Sequence, residues 1–102
     1  MGQLISYICG NYRRNVSLDM AAHELGVSRY CISRIFTNKI GVSFSDYINS
    51  LRIDFAKKRL KSSDIPISEI SIESGFENQR SFNRTFKKFC GKSPKEYRLD
   101  NL

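Results

Sequence analysis

Two stretches of this chain hold cations and no acids. Arg29, Arg34 and Lys39 stand between Ser28 and Gly41; Arg80, Arg84, Lys87, Lys88 and Lys92 stand between Asn78 and Lys92. The acids come just ahead of each stretch, as Asp19 and Glu24 and then as Glu69 and Glu73. Guanidinium and ammonium groups displayed with amides and hydroxyls suit phosphates and the acceptor-rich edges of base pairs. Other chemistries lack their residues. Cys9, Cys31 and Cys90 include no CxxC pair, and His23 is the only histidine. A four-ligand zinc site at close spacing cannot be built from these, and no cofactor is implied. His23 has no nucleophile and acid beside it to make it a catalytic base, so an enzyme is not expected. The cysteines fall among apolar neighbours at helical positions and are expected to be inert, buried or half-buried thiols. Their odd number fits a reducing compartment.

The whole chain agrees with that reading. It has 102 residues, 40% of them hydrophobic and 26% charged, a globular balance for one small domain. The net charge is +7 and the pI about 9.6, one footprint of nucleic-acid binding, shared with binding to anionic membranes or acidic partners. Residues 1–51 carry five basic and three acidic side chains, and residues 52–102 carry twelve and seven. No apolar run approaches the roughly 18 residues of a membrane span. Arg13 and Arg14 follow the apolar N-terminal segment rather than precede it, which is not the order of a secretion signal. The expectation is a soluble, cytoplasmic protein with no membrane partner.

The periodicity is helical throughout, so the fold class is all-α. Leu4, Ile8 and Tyr12, with Ile5 and Cys9 alongside, predict a helix over 3–13. A second is expected over 18–25, from Ser17 as N-cap to Gly26, and a third over 29–39, from Ser28 to Gly41. A long fourth spans 44–61, entered at Ser43, with Tyr47, Ile48, Leu51, Phe55 and Leu60 as its apolar stripe. A fifth fits 67–74 and ends at Gly75; a sixth fits 79–89, capped by Asn78 or Glu77 and ended by Gly91. The seventh opens with Ser93-Pro94-Lys95-Glu96, an N-cap serine, a proline at the first position and a glutamate at the third.

The chain repeats itself. Shifted by 49, Leu18, Ala21, Glu24 and Gly26 fall on Ile67, Ile70, Glu73 and Gly75. Shifted by 50, Ile32, Arg34, Phe36, Gly41, Ser43 and Tyr47 fall on Phe82, Arg84, Phe86, Gly91, Ser93 and Tyr97. Each copy is a short helix, a glycine-containing turn and a second, basic helix, which is a helix-turn-helix written twice. The expected subdivision is 1–42 and 63–102 as helix-turn-helix subdomains, with 43–62 as the linker helix.

In such a motif the second helix enters the major groove. Phe82, Phe86 and Phe89 form one stripe of the sixth helix, expected to face the core, and leave Gln79, Arg80, Asn83, Arg84 and Lys87 on the other side. In the third helix Ile32, Ile35 and Phe36 are the core stripe, while Tyr30, Ser33, Arg34 and Thr37 point elsewhere. Arg34 and Arg84 suit guanine O6 and N7, and Gln79 and Asn83 suit adenine or phosphate. Lys87, Lys88 and Lys92 are expected on phosphate. The run Lys57-Lys58-Arg59-Lys61 closes the long helix, where cations match the helix dipole, with a phosphate contact as the alternative. At about 1.5 Å per residue the long helix spans roughly 27 Å, of the order of one turn of B-DNA at about 34 Å. One chain would then place two unlike helices in successive major grooves.

These features together resemble the DNA-binding domain of the AraC/XylS family of bacterial transcription regulators. The resemblance runs through SLDMAAHELGVSRYCISRIFTNKIG, SFSDYINSLRIDFAKKRL and ISEISIESGFENQRSFNRTFKKFCGKSPKEYR, whose GF…F.R.FKK..G.SP.EYR frame is specific. It implies seven helices in two homeodomain-like helix-turn-helix subdomains joined by a linking helix. It also implies binding to double-stranded promoter DNA, usually to activate transcription, with RNA polymerase as a partner. The positions matching base-contacting sites are Tyr30, Ser33 and Arg34, then Gln79, Arg80, Asn83 and Arg84. Arg29, Thr37, Lys39, Lys87, Lys88 and Lys92 are assigned to phosphate. Thr37-Asn38 replace two lysines common in the family, which weakens the first module's phosphate hold. Ser71 and Ser74 replace apolar residues, which would loosen packing by of order 1 kcal/mol unless their hydroxyls bond back to the helix. The SFSDYIN…R stretch is similar to the branch in which the domain follows a phosphorylation-receiver domain. The isolated domain is expected to be monomeric, within a regulator that dimerises through a domain absent here, or else to be a small stand-alone regulator. It would be cytoplasmic and associated with the nucleoid. The alternative is a protein-interaction module in which only the second helix-turn-helix binds DNA and the first contacts RNA polymerase or another partner.

Overall fold

The computed structural model describes residues 2–14 and 16–101. They form helices α1 (Gly2–Asn11), α2 (Leu18–Leu25), α3 (Arg29–Ile35), α4 (Phe44–Ser62), α5 (Ile67–Glu73), α6 (Gln79–Cys90) and α7 (Pro94–Asp100). A π-helical turn, Phe36–Ile40, continues α3. No strand occurs among the described residues.

Local chemistry explains most boundaries. Ser17 Oγ accepts from the Met20 N–H at 3.1 Å, Ser28 Oγ from Cys31 at 3.1 Å, Ser43 Oγ from Asp46 at 3.1 Å and Asn78 Oδ1 from Ser81 at 2.8 Å. Each satisfies a backbone donor that the helix cannot. At α7 the capping is reciprocal: Ser93 Oγ accepts from the Glu96 N–H at 3.2 Å, and the Glu96 carboxylate accepts from the Ser93 N–H at 3.0 Å. That contact holds the Glu96 carboxyl below its usual range. Gly26 ends α2 with φ +67°, a conformation that costs a residue with a Cβ roughly 1–2 kcal/mol.

The chain divides within α4 into a unit ending at Ile48 and a unit beginning at Asn49. In the first, Leu4 and Ile8 of α1, Ala21 and Ala22 of α2, and Ile32 and Phe36 are buried with Phe44 and Ile48. The Phe36 ring meets Phe44 edge-on at 5.3 Å and Tyr47 at 5.4 Å. In the second, Ile53, Ala56 and Leu60 of α4 pack with Ile70, Phe76, Phe82 and Phe86. Phe76, Phe82, Phe86 and Tyr97 form a chain of ring contacts at 5.4, 5.7 and 5.5 Å.

Three expectations change. The α4 stripe of Tyr47, Ile48, Leu51, Phe55 and Leu60 is not the buried set, which is Phe44, Ile48, Ile53, Ala56 and Leu60. Its spacing changes between Ile48 and Ile53, so no single stripe runs the length of the helix. Phe89 is 37% exposed rather than core. The last turn of α6 is covered on the side of Cys90, which packs on the core with Tyr97, leaving Phe89 at the edge. Cys9 and Cys31 are exposed, and only Cys90 is partly buried. Burial pushes the Cys90 thiol up from its ordinary value.

Ser71 and Ser74 are buried with their hydroxyls hydrogen-bonded. Ser71 Oγ donates to the Ser68 carbonyl at 2.7 Å, and Ser74 Oγ donates to Ile70 at 2.8 Å and lies 3.1 Å from the Ser71 carbonyl. The hydroxyls use carbonyls of α5 itself, so neither is left as a buried donor without a partner.

Candidate nucleic-acid interface

Each unit presents one polar helix face. In the first, Ile32 and Phe36 anchor α3, and Arg29, Tyr30, Ser33, Arg34, Thr37 and Lys39 are all exposed. The Arg34 guanidinium lies over the Tyr30 ring at 5.7 Å. This cation–π contact limits how far the arginine swings. Arg29 pairs with Asp19 of α2 at 3.2 Å, with both side chains about two-thirds exposed or more. The Thr37 hydroxyl donates to the Ser33 carbonyl at 3.0 Å, so its proton is already engaged. A shallow cavity of about 310 Å³ runs along this helix, lined by Tyr30, Cys31, Arg34, Ile35, Asn38 and Lys39.

In the second unit α6 is more sharply divided. Phe82 and Phe86 are fully buried, while Gln79, Arg80, Asn83, Arg84, Lys87 and Lys88 are exposed. Lys92 is ion-paired with Asp100, and that hydrogen bond raises its pKa. A cavity of about 480 Å³ adjoins the polar face, with walls from α6 and from Ser93, Pro94 and Lys95.

The basic run at the end of α4 is largely engaged inside its own unit. Arg59 grips Glu73 of α5 through two hydrogen bonds, 2.9 and 3.3 Å, and Lys61 lies over the Tyr97 ring at 5.5 Å. Arg98 of α7 donates to the carbonyls of Leu60, Ser63 and Ile65 at 3.3, 3.1 and 2.8 Å. It thereby satisfies backbone acceptors where α4 ends and ties α7 to them. Arg52 lies over Phe76 at 5.6 Å, and burial lowers its pKa. Arg98 belongs to the quoted EYR frame, but its role rests on carbonyls more than thirty residues away, which no local pattern shows. Lys95 reads in sequence as part of a helix cap; its place in the wall of the cavity is visible only in three dimensions.

An all-helical chain with two helix-turn-helix units, each showing an exposed cationic face and an apolar inner face, is a double helix-turn-helix domain. Residues 21–100 match the model of a helix-turn-helix domain family. An uncharacterized helix-turn-helix transcriptional regulator of Staphylococcus aureus strain MSSA476 is 36% identical over 98% of this chain and 13% of its own length. The transcriptional activator AarP of Providencia stuartii is 31% identical over 99% of this chain and 75% of its own length. Among solved structures, the C-terminal domain of AraT, a response regulator from Geobacillus stearothermophilus, superposes with a TM-score of 0.94 at 31% identity, covering 98% of this chain and 84% of that one. The chain belongs to the AraC-type helix-turn-helix family, the DNA-binding domains of transcription regulators. It spans about an eighth of the length of the staphylococcal relatives. No helix among the described residues is long and apolar enough to cross a membrane.

Proposed function

We propose that this domain binds promoter DNA sequence-specifically, with α3 and α6 in successive major grooves, and that it serves a transcription activator. The observation that carries the reading is α6: Gln79, Arg80, Asn83 and Arg84 stand exposed on a helix whose opposite side holds Phe82 and Phe86 at 0% exposure. A helix anchored so firmly can offer polar groups to base edges without tilting. Tyr30, Ser33 and Arg34 read bases from α3, the arginine steadied by the tyrosine ring. Lys39, Lys87 and Lys88 hold phosphates, as does Thr37 through its oxygen lone pairs. Arg29 and Lys92 reach phosphate by leaving Asp19 and Asp100. The helix α4 has 19 residues and is roughly 28 Å long. The subdivision into residues 1–42, 43–62 and 63–102 goes with this use: two readers and a strut.

Activation is proposed from the likeness to AarP, with RNA polymerase as the protein partner. The likeness to a response-regulator domain supports a role as the DNA-binding part of a longer cytoplasmic regulator. The domain alone binds as a monomer, since both readers are in one chain. The smaller charge of α3 and the Arg29–Asp19 pair favour a second reading, in which only α6 reads bases and the first unit meets RNA polymerase.

Selection of bound duplexes from a random pool at about 150 mM salt separates these. Two unlike elements about 10 base pairs apart support both readers. A single short element supports the second reading. Absence of any enriched sequence overturns sequence-specific binding.

A further inference from the structure

The cavity beside α6 adds a cation from α7, Lys95, to the polar face of α6. Its walls include Arg84 and Lys87 from α6 and Lys95 from the first turn of α7, with Ile67 and Pro94 supplying apolar atoms and Asn83 an amide. No carboxylate lines it. Of the acids of α7, Glu96 accepts from the Ser93 N–H and lies near enough to Lys87 to feel its charge, and Asp100 pairs with Lys92. Arg84, Lys87 and Lys95 take part in no ion pair among the described residues.

We infer that this groove seats one sugar–phosphate unit of the DNA strand bordering the groove that α6 enters, and that Lys95 is the cation closing it from the α7 side. The inference rests on the proposed placement of α6 in the major groove. Lys87 from α6 and Lys95 from α7, two ammonium groups from two helices, match a phosphate diester, while Arg84 on the same rim keeps its base-reading role. The apolar atoms of Ile67 and Pro94 match the carbon face of the deoxyribose attached to it. Charge is the reason for choosing the DNA backbone over a protein segment: an apolar peptide would bury three ammonium and guanidinium groups without partners. Because Lys95 meets phosphate and no base edge, it adds affinity without sequence preference.

The test compares wild type with Lys95→Gln on the selected duplex and on an unrelated duplex, across a range of salt. Lys95 is exposed, so folding is expected to be unaffected, and circular dichroism checks this. The expected result is a similar fold-loss on both duplexes and a log–log salt slope shallower by about 0.9, the change for one phosphate contact. Duplexes with single uncharged methylphosphonate linkages locate the contact. One linkage should weaken wild type and leave Lys95→Gln unchanged. If wild type binds and Lys95→Gln keeps both affinity and slope, the groove assignment is overturned while the DNA-binding reading stands. If wild type itself shows no salt-dependent binding to either duplex, the reading beneath it fails as well. A loss confined to the selected duplex would also overturn the assignment, since it would make Lys95 a base-reading group.

Discussion

At Gly41 the backbone N–H donates to the carbonyl of Phe36, five residues back and 2.7 Å away; at the repeat-equivalent Gly91 it donates to Lys87, four residues back and 2.8 Å away. Five residues separate phenylalanine from glycine in both copies. The first copy closes its last turn wide, as a π-turn, and the second closes it as ordinary α-helix. Wide turns shift the direction of the side chains they contain. The repeat aligns Thr37, Asn38 and Lys39 with Lys87, Lys88 and Phe89, but the first set lies in a π-turn and the second in ordinary α-helix. The two helices also differ in how their charge is held. In the first unit Arg29 is paired and Arg34 lies on Tyr30, whereas Arg80, Arg84, Lys87 and Lys88 stand exposed along α6. One repeated pattern is used differently: a sparse, steadied set of groups on α3 and a dense cationic face on α6.

The largest test of this contrast concerns what anchors each helix. Phe82 touches both Phe76 and Phe86, so Phe82→Ala should cost about 3–5 kcal/mol in urea unfolding, against about 2–5 kcal/mol for Ile32→Ala at the equivalent position. A cost under about 1 kcal/mol for either variant would show that the side chain does not anchor its helix. Next in size are the paired arginines. Arg84→Ala is expected to lose about 1–3 kcal/mol of discrimination at one base pair, read by competition among single-base variants of the selected duplex. Arg34→Ala should do the same at a different base pair if α3 reads DNA. Unchanged selectivity in Arg34→Ala alone would assign base reading to the second unit only.

The smallest effect concerns the cap of α7, next to the proposed phosphate groove. The pKa of Glu96 is lower in the folded chain than in the unfolded one because its carboxylate accepts the Ser93 N–H. Its contribution is thus fully present above the unfolded value and is lost as pH falls through the folded one. Glu96→Gln should therefore lower Tm slightly at neutral pH, and the gap from wild type should close as the pH falls below the ordinary carboxylate range. A gap that persists unchanged in acid would mean the charge of Glu96 plays no part in the cap.

Caps and glycines were the most legible features. Ser17, Ser28, Ser43, Asn78 and Ser93 each cap the helix they precede, and α2 runs over Leu18–Leu25 as its periodicity indicates. These signals act within four residues, so they survive in the linear string. Exposure of the side chains proposed to meet phosphates and bases follows from helical phase, which is equally local. Phe89, Cys9 and Cys31 depart from expectation for the opposite reason: apolar character sets what burial is worth, but a side chain is buried only where another element covers it. Cys31 and Phe89 lie where none does. The hydroxyls of Ser71 and Ser74 posed a question in the sequence that only their bonds to the carbonyls of α5 and Ser68 answered.

By itself, then, the sequence determined the helices, their caps, the doubled motif and its two cationic faces, because each depends on neighbours within a few bonds or on a periodicity of 3.6. The tertiary structure decided which α4 residues are buried, the Arg59–Glu73 pairing, the three carbonyls held by Arg98 and the arrival of Lys95 beside Arg84 and Lys87. Each of these depends on the meeting of segments far apart in the chain, and a distance through space is not a function of local residue type.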